Sequence, residues 1–517
     1  GLGDVYKRQP LQDIALEQMA AMKKFHELDI PHSGFYAEGA GATFFGEYKK
    51  EELYKVVSFG ERHGFKVFSW QFPNMTQELA QELLPECPKE ELPITRNKND
   101  EEEKLPVYID FSHPRAKELL AAQWKDRMDA GIRGSMVDFG DVVPDEAVFY
   151  DGRRGDEMHN AYAYQYAKNY RELFEQKYGD DHVLYTRGAA PGSQHFACQF
   201  GGDQLTSFQG LKYAIAGGLS AAASGLPFWG VDAGGYDGFP DQETYLRWTE
   251  YAAFCPLMRF HGTEPREPWE YDAFTVKVYR YYTWLRENLR PYIVSVAAEA
   301  HKLGIPMMRP LAMMYPEDQE ATKVWDEYLF GEDLLVAPVS DETEEREIYF
   351  PEGRWISLWN LNDEISGPVQ RSVEVPIDKI PVYIREGSFL PLRLNESLKL
   401  GESMSESETE MILAVVPQND SIVKETLYER SGAKTCCGME KNGETIQLQI
   451  SGRTAELYVM LAGIHWKNTE AIVNGRTLTK VTAREGLYFT EGYLELEEGI
   501  LVKINPSAES VIKIQKK

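Results

Sequence analysis

Between about residue 10 and residue 320 the chain switches repeatedly between two hydrophobic periods. Over residues 11–28 apolar positions recur every three to four residues, which predicts an amphipathic helix. Residues 30–37 read as a strand running into the loop EGAGA. Residues 51–63 are again helical, and GFKVFSW (64–70) is strand-like. The exchange continues through VYIDF, a helix over 114–130, IRGSMVDFG, a helix around 159–178, HVLYTRG, a helix around 209–224 and LPFWGVD. A charged stretch, residues 89–104, follows Pro88, contains Pro93 and reads as a loop. About six or seven strands alternating with helices predict an α/β fold with a parallel sheet, either doubly wound or closed as a (β/α)8 TIM barrel.

Several of these strands end in polar residues, at Glu38, Gln71, Asp138, Arg187 and Asp232. In a TIM barrel the C-terminal strand ends form the active-site face. That pattern favours the barrel, assigned to residues 1–320. Beyond about residue 325 the texture changes. Short β-rich runs (YLFGEDLLVAPV, REIYFPEG, RWISLWN, IPVYIREGSFLPL) are separated by Pro and Gly turns. They predict a proximal β-sandwich over 321–395. From Asn395 the polar stretch NESLKLGESMSESETE reads as a linker, and residues 396–517 as a distal β-rich domain. No internal repeat of fixed period is present.

Composition narrows the function classes. The net charge is −27, which argues against nucleic acid and against an anionic membrane surface, since both need a basic footprint. A neutral substrate is compatible with it. Aromatics reach 12%, with 29 Tyr and 10 Trp. They suit an ordinary core before they suit a sugar cleft. The five cysteines show no CxxC or Cys/His spacing, so neither a disulfide framework nor a zinc site is expected. A reducing, cytoplasmic setting fits best. No apolar run approaches the roughly 18 residues of a membrane span. The glycines of GVDAGG lack the spacing of a phosphate loop.

Four stretches could carry chemistry. In SMVDFGDVVP an apolar strand ends at Asp138, before a glycine turn that can hold a carboxylate at a barrel mouth. In LYTRGAAPGSQHFACQFGGDQ, Arg187 ends a strand and Asp203 follows a Gly-Gly turn, 65 residues beyond Asp138. Glycoside hydrolysis needs two carboxyls in different protonation states, one ionised and one holding a proton. A loop aspartate in a partly dry pocket meets the second need. The plainer reading of each aspartate is a turn or helix cap. LPFWGVDAGGYDG sets Trp229, Asp232 and Tyr236 around a bend. LRWTEYAAFCPLMRFHG is helical and ends at Arg259, Phe260, His261 and Gly262, where His261 reads as structural or as a ligand of the substrate.

Together and in this order, these stretches resemble glycoside hydrolase family 31. The resemblance covers about residues 15–395. It rests on MVDFGD, on Arg187, Gly192, Ser193, Gln194, Gly202 and Asp203, on Asp232, Gly234, Gly235 and Tyr236, and on Arg247, Trp248, Met258, Arg259 and His261. MMRPLAMMYPED, LFGEDLLVAPV, FPEGRW and IPVYIREGSFLPL resemble the family's barrel end and proximal sandwich. The resemblance implies a retaining α-glycosidase with Asp138 as nucleophile and Asp203 as general acid/base. It implies substrate contacts from Glu38, Trp70, Arg187, Phe200, Asp232, Tyr236 and His261. A carbohydrate is the implied partner, a homo-oligomer is compatible with it, and neither metal nor organic cofactor is implied. Two departures and one likeness bear on specificity. Glu38 stands where the family usually has Asp, followed here by Gly39 and Ala40. Met136 stands where α-xylosidase-like members carry Lys. DFGDVVP with EMHN (157–160) resembles the α-xylosidase and sulfoquinovosidase branches. The family's N-terminal β-sandwich and first barrel strand would precede Leu11, so the barrel is expected to be N-terminally truncated.

Overall fold

The structure, a computed structural model, describes residues 11–37, 50–96, 107–405, 410–419, 421–453 and 455–517. It divides into two compact units. The first holds the chain up to Thr206 together with Phe228–Pro240 and Arg259–Glu270. The second holds Ser207–Pro227, Asp241–Met258 and Tyr271–Lys517.

The first unit is built on a six-stranded parallel sheet that forms the barrel wall. Its strands, in spatial and chain order, are Gly34–Tyr36, Lys66–Gln71, Gly134–Val137, Val183–Thr186, Cys198–Phe200 and Trp229–Gly230. All five pairings are parallel. The helix Leu11–Glu27 buries Ile14, Ala15, Gln18, Ala21 and Met22, the single face its period predicts. Strand Lys66–Gln71 alternates, burying Val67, Ser69 and Gln71. Phe68, on its other face, explains two glycines. A Cβ at Gly34 would lie 2.0 Å from the Phe68 ring, and one at Gly134 would lie 2.7 Å from that ring and 2.0 Å from Val183 O.

Two details depart from the sequence reading. VYIDF contributes Val107–Tyr108, which is not a wall strand but pairs antiparallel with Asn74–Met75 in a two-stranded ribbon. The reason is local, because the ribbon partner lies just beyond the strand end at Gln71 and Ile109 N donates to Pro73 O at 3.1 Å. Conversely, Cys198–Phe200 is a wall strand in a segment to which the sequence pattern assigns no element. Its pairing to Tyr185–Thr186 on one side and Trp229–Gly230 on the other supplies what its three residues lack in propensity.

In the second unit, the helices Phe208–Ala223, Gln242–Ala253, Ala273–Asn288 and Arg290–Leu303 are followed by β structure. Met308–Pro310, Tyr328–Phe330, Leu334–Val336, Glu345–Ser357, Glu364–Glu374 and Val382–Arg385 form one antiparallel sheet. Two further six-stranded sheets share an apolar core that includes Leu413, Ile446, Leu448, Val459, Ile512 and Ile514. Strand Phe389–Leu394 pairs with Glu410–Val415, so a backbone ladder spans the break expected at residue 395.

Candidate active site

The candidate residues leave the C-terminal ends of the parallel strands, where a barrel places its chemistry. Asp138 directly follows Gly134–Val137, and Arg187 directly follows Val183–Thr186. Asp203 and Asp232 lie three and two residues beyond Cys198–Phe200 and Trp229–Gly230.

Asp138 is buried. Its Oδ2 accepts from Trp70 Nε1 at 3.0 Å, and its Oδ1 accepts from the Phe139 amide at 2.9 Å. Its own amide donates to Gln71 O at 3.0 Å. Phe139 takes a left-handed backbone, φ +56°, which costs a side chain of this type about 1–2 kcal/mol. The turn is braced from the helix Gly155–Tyr178. Tyr166, fully buried there, donates to Gln71 O at 3.1 Å. A Cβ at Gly140 would come within 2.7 Å of the Tyr166 ring, so the residue after Phe139 has room only for glycine.

Arg187 lies 4.0 Å over the Phe139 ring. Its Nε is 3.5 Å from Asp138 Oδ1 and 3.6 Å from Asp141 Oδ1, and its Nη1 is 3.8 Å from Asp203 Oδ1. These are ion-pair distances too long for hydrogen bonds. Nε is buried with no hydrogen-bond partner among the described residues. Gly202, at φ +77°, makes room for the arginine, since a Cβ there would lie 2.9 Å from Arg187 Cδ.

The two aspartates share this guanidinium but not their surroundings. Burial raises the Asp138 carboxyl, while Arg187, Trp70 and the Phe139 amide pull it back towards ionisation. Asp203 has about half of its side chain exposed. Partial burial raises it, Arg187 and Arg259 oppose, and Asp237 and Asp141 push it further up.

Asp232 is fully buried and ion-paired with Arg259. Burial pushes it up to about 7 against the pull of Arg259. The Arg259 guanidinium lies 4.6 Å from the Phe200 ring and 4.8 Å from the Tyr185 ring. Two residues on, the half-buried His261 ring sits 5.1 Å from Tyr36 and 5.4 Å from Tyr236. Burial first, then Arg259 and Arg266, holds its pKa well below the ordinary histidine range, so the ring is neutral. Among the described residues no group of three His, Cys, Asp or Glu is placed to hold a metal ion.

The family model described as the glycosyl hydrolases family 31 TIM-barrel domain matches residues 12–296, more than half of the chain. The chain belongs to glycosyl hydrolase family 31. The family's C-terminal domain matches residues 304–390. An isomaltosyltransferase of Sporosarcina globispora is 32% identical over 78% of this chain and 39% of its own length. An α-xylosidase of Emericella nidulans is 32% identical over 55% of this chain and 38% of its own length. The cycloalternan-forming enzyme from Listeria monocytogenes, solved with a pentasaccharide substrate, superposes with a TM-score of 0.86 at 22% identity. That match covers 97% of this chain and 53% of that one. The chain thus spans about two fifths of the length of these curated relatives.

Within this family-31 barrel the structure brings Trp70, Asp138, Arg187 and Asp203 together. It packs Arg259 against Asp232 and Phe200, and sets His261 beside Tyr236. Glu38 lies outside the described residues. Sequence reasoning gave no site role to Tyr36, Phe139, Asp141, Tyr185 or Arg266. Asp141 did carry a signal, three residues past Asp138 in a carboxylate-rich turn. The aromatic residues carried none, because a strand or turn aromatic reads equally as core. In the described residues no helix is long and apolar enough to cross a membrane.

Proposed function

We propose that this chain carries the catalytic part of a retaining α-glycoside hydrolase acting at the non-reducing end of α-glucosides or related α-glycosides. The observation that carries the reading is Arg187, which gathers two carboxyls 65 residues apart and leaves them in unlike environments. Such pairs divide into nucleophile and acid. Asp138, held by two donors and a cation, attacks the anomeric carbon as the bond to the aglycone oxygen breaks. Asp203 gives its proton to that oxygen. In the second half Asp203 takes a proton from water, whose oxygen displaces Asp138 from the anomeric carbon. Arg187 Nε is an unused buried donor suited to a sugar hydroxyl. His261, neutral, can donate or accept there. Trp70, Phe200, Asp232 and Tyr236 shape the same pocket in this reading, and Glu38 joins it on the resemblance alone.

A panel of nitrophenyl α-glucoside, α-xyloside, α-galactoside and α-sulfoquinovoside tests it. Release from one, with the α-anomer appearing first by NMR, is expected. No release from any by folded protein would overturn the reading. A first-formed β-anomer would remove the double displacement. The isomaltosyltransferase relative, aligned over 78% of the chain, favours a second reading in which a sugar hydroxyl replaces water. Longer oligosaccharides among the products would establish it. The five unpaired cysteines support a cytoplasmic setting, which fractionation of the source cells against compartment markers checks.

A further inference from the structure

Arg266 is buried in the irregular segment after Arg259, and its guanidinium donates to a series of backbone carbonyls. Nε donates to Gly235 O at 3.1 Å. Nη2 donates to Gly235 O at 2.8 Å, to Gly238 O at 2.6 Å and to Tyr236 O at 3.2 Å. Nη1 donates to Glu264 O and Pro265 O at 3.0 and 3.1 Å. One side chain therefore ties the 235–238 bend to the 264–265 segment. The bend has little stiffness of its own, because Gly234, Gly235 and Gly238 all take positive φ. Space for the guanidinium is made by glycine. A Cβ at Gly262 would lie 2.5 Å from Nη2, and one at Gly234 would lie 3.2 Å from Cδ. The two segments also lace directly, through Thr263 N to Tyr236 O at 2.8 Å and Gly238 N to Thr263 Oγ1 at 2.9 Å. The bend carries Tyr236 and the second segment follows His261, and the two rings lie 5.4 Å apart, tilted at 41°.

We infer that Arg266 is a positioning residue, which fixes Tyr236 against His261 and so sets how this pair grips the sugar. The inference rests on the glycosidase reading. Arg266 touches carbonyls of the bend rather than the reacting atoms, so its effect falls on binding more than on the chemical step. After burial, its charge and that of Arg259 both disfavour a protonated His261.

The test compares wild type, Arg266→Lys and Arg266→Met on the α-glycoside the wild type hydrolyses. In parallel, labelled histidine is titrated by NMR, with His261 assigned through His261→Gln. KM is expected to rise about tenfold or more in both variants, with kcat changed far less. His261 is expected to titrate nearer the ordinary range in Arg266→Met and to stay low in Arg266→Lys. Unchanged KM in both, with only a lower melting temperature, would make Arg266 merely structural and overturn the inference. If Arg266→Met does not fold, the KM of Arg266→Lys decides. If the wild type hydrolyses nothing, the glycosidase reading falls. The NMR contact between the His261 and Tyr236 rings then decides, and its survival unchanged in Arg266→Met overturns the positioning role.

Discussion

The distal sandwich and the mouth of the parallel sheet bury their side chains in opposite ways. In strand Thr445–Ser451 the buried positions are Ile446, Leu448 and Ile450, alternating with residues left partly or fully exposed. Its neighbour Glu509–Lys516 adds Ile512 and Ile514. At the upper end of the parallel sheet the buried set includes Gln71, Asp138, Thr186, Gln199 and Asp232. Apolar burial is non-directional and scales with area, so the first region tolerates apolar side chains of similar volume. A buried polar group costs free energy unless its partners stand at set distances. The first region supplies stability, and the second holds geometry.

Asp138→Ala attacks that geometry at its centre. Loss of kcat/KM on the order of 10⁴-fold or more is expected, with unfolding still cooperative. Steady-state assays and a thermal melt on the same sample check this, and retention of more than a tenth of wild-type activity would mean that the nucleophile lies elsewhere.

Asp203→Ala comes next. Losses of about 10²–10⁴-fold are expected with poor leaving groups and much smaller ones with good leaving groups. The pH profile gives the sign. Both carboxyls are raised above the usual range. In the proposed roles, activity climbs on the acid side as Asp138 loses its proton and falls on the alkaline side as Asp203 loses its own, and both limbs lie above the usual carboxylate range. Asp203→Ala should keep the acid limb and lose the alkaline one. Two intact limbs in the variant would reassign the acid.

Leu448→Ala probes the other region. It should lower stability by about 2–5 kcal/mol in denaturant unfolding while kcat at low temperature stays put. A parallel collapse of kcat would end the division of labour drawn above. The smallest effect belongs to Phe489, 94% exposed in the distal domain. Phe489→Ser should leave stability within about 0.5 kcal/mol and kinetics unchanged. A larger shift in either would show that this surface is covered in the working protein.

The periodic parts of the fold were legible in the sequence because helical and strand periods are local properties. The buried face of Leu11–Glu27 and the alternation in Lys66–Gln71 could be counted directly. Asp138, Arg187 and Asp232 could be read as strand ends for the same reason, since an apolar run stops at a polar residue. The strand Cys198–Phe200 could not, because it exists through its two neighbours and not through its own three residues. VYIDF failed in the other direction, since nothing within it says which partner it takes.

By itself the sequence determined the alternation of elements, the acidic character and the residue types available for chemistry. The tertiary structure alone decided which of those residues meet. Arg187 reaching Asp138, Asp141 and Asp203, Arg259 reaching Asp232, and Arg266 reaching the 235–238 carbonyls join segments up to 65 residues apart. A charge and a dipole interact through distance in space, and that distance is set only when the strands take their register.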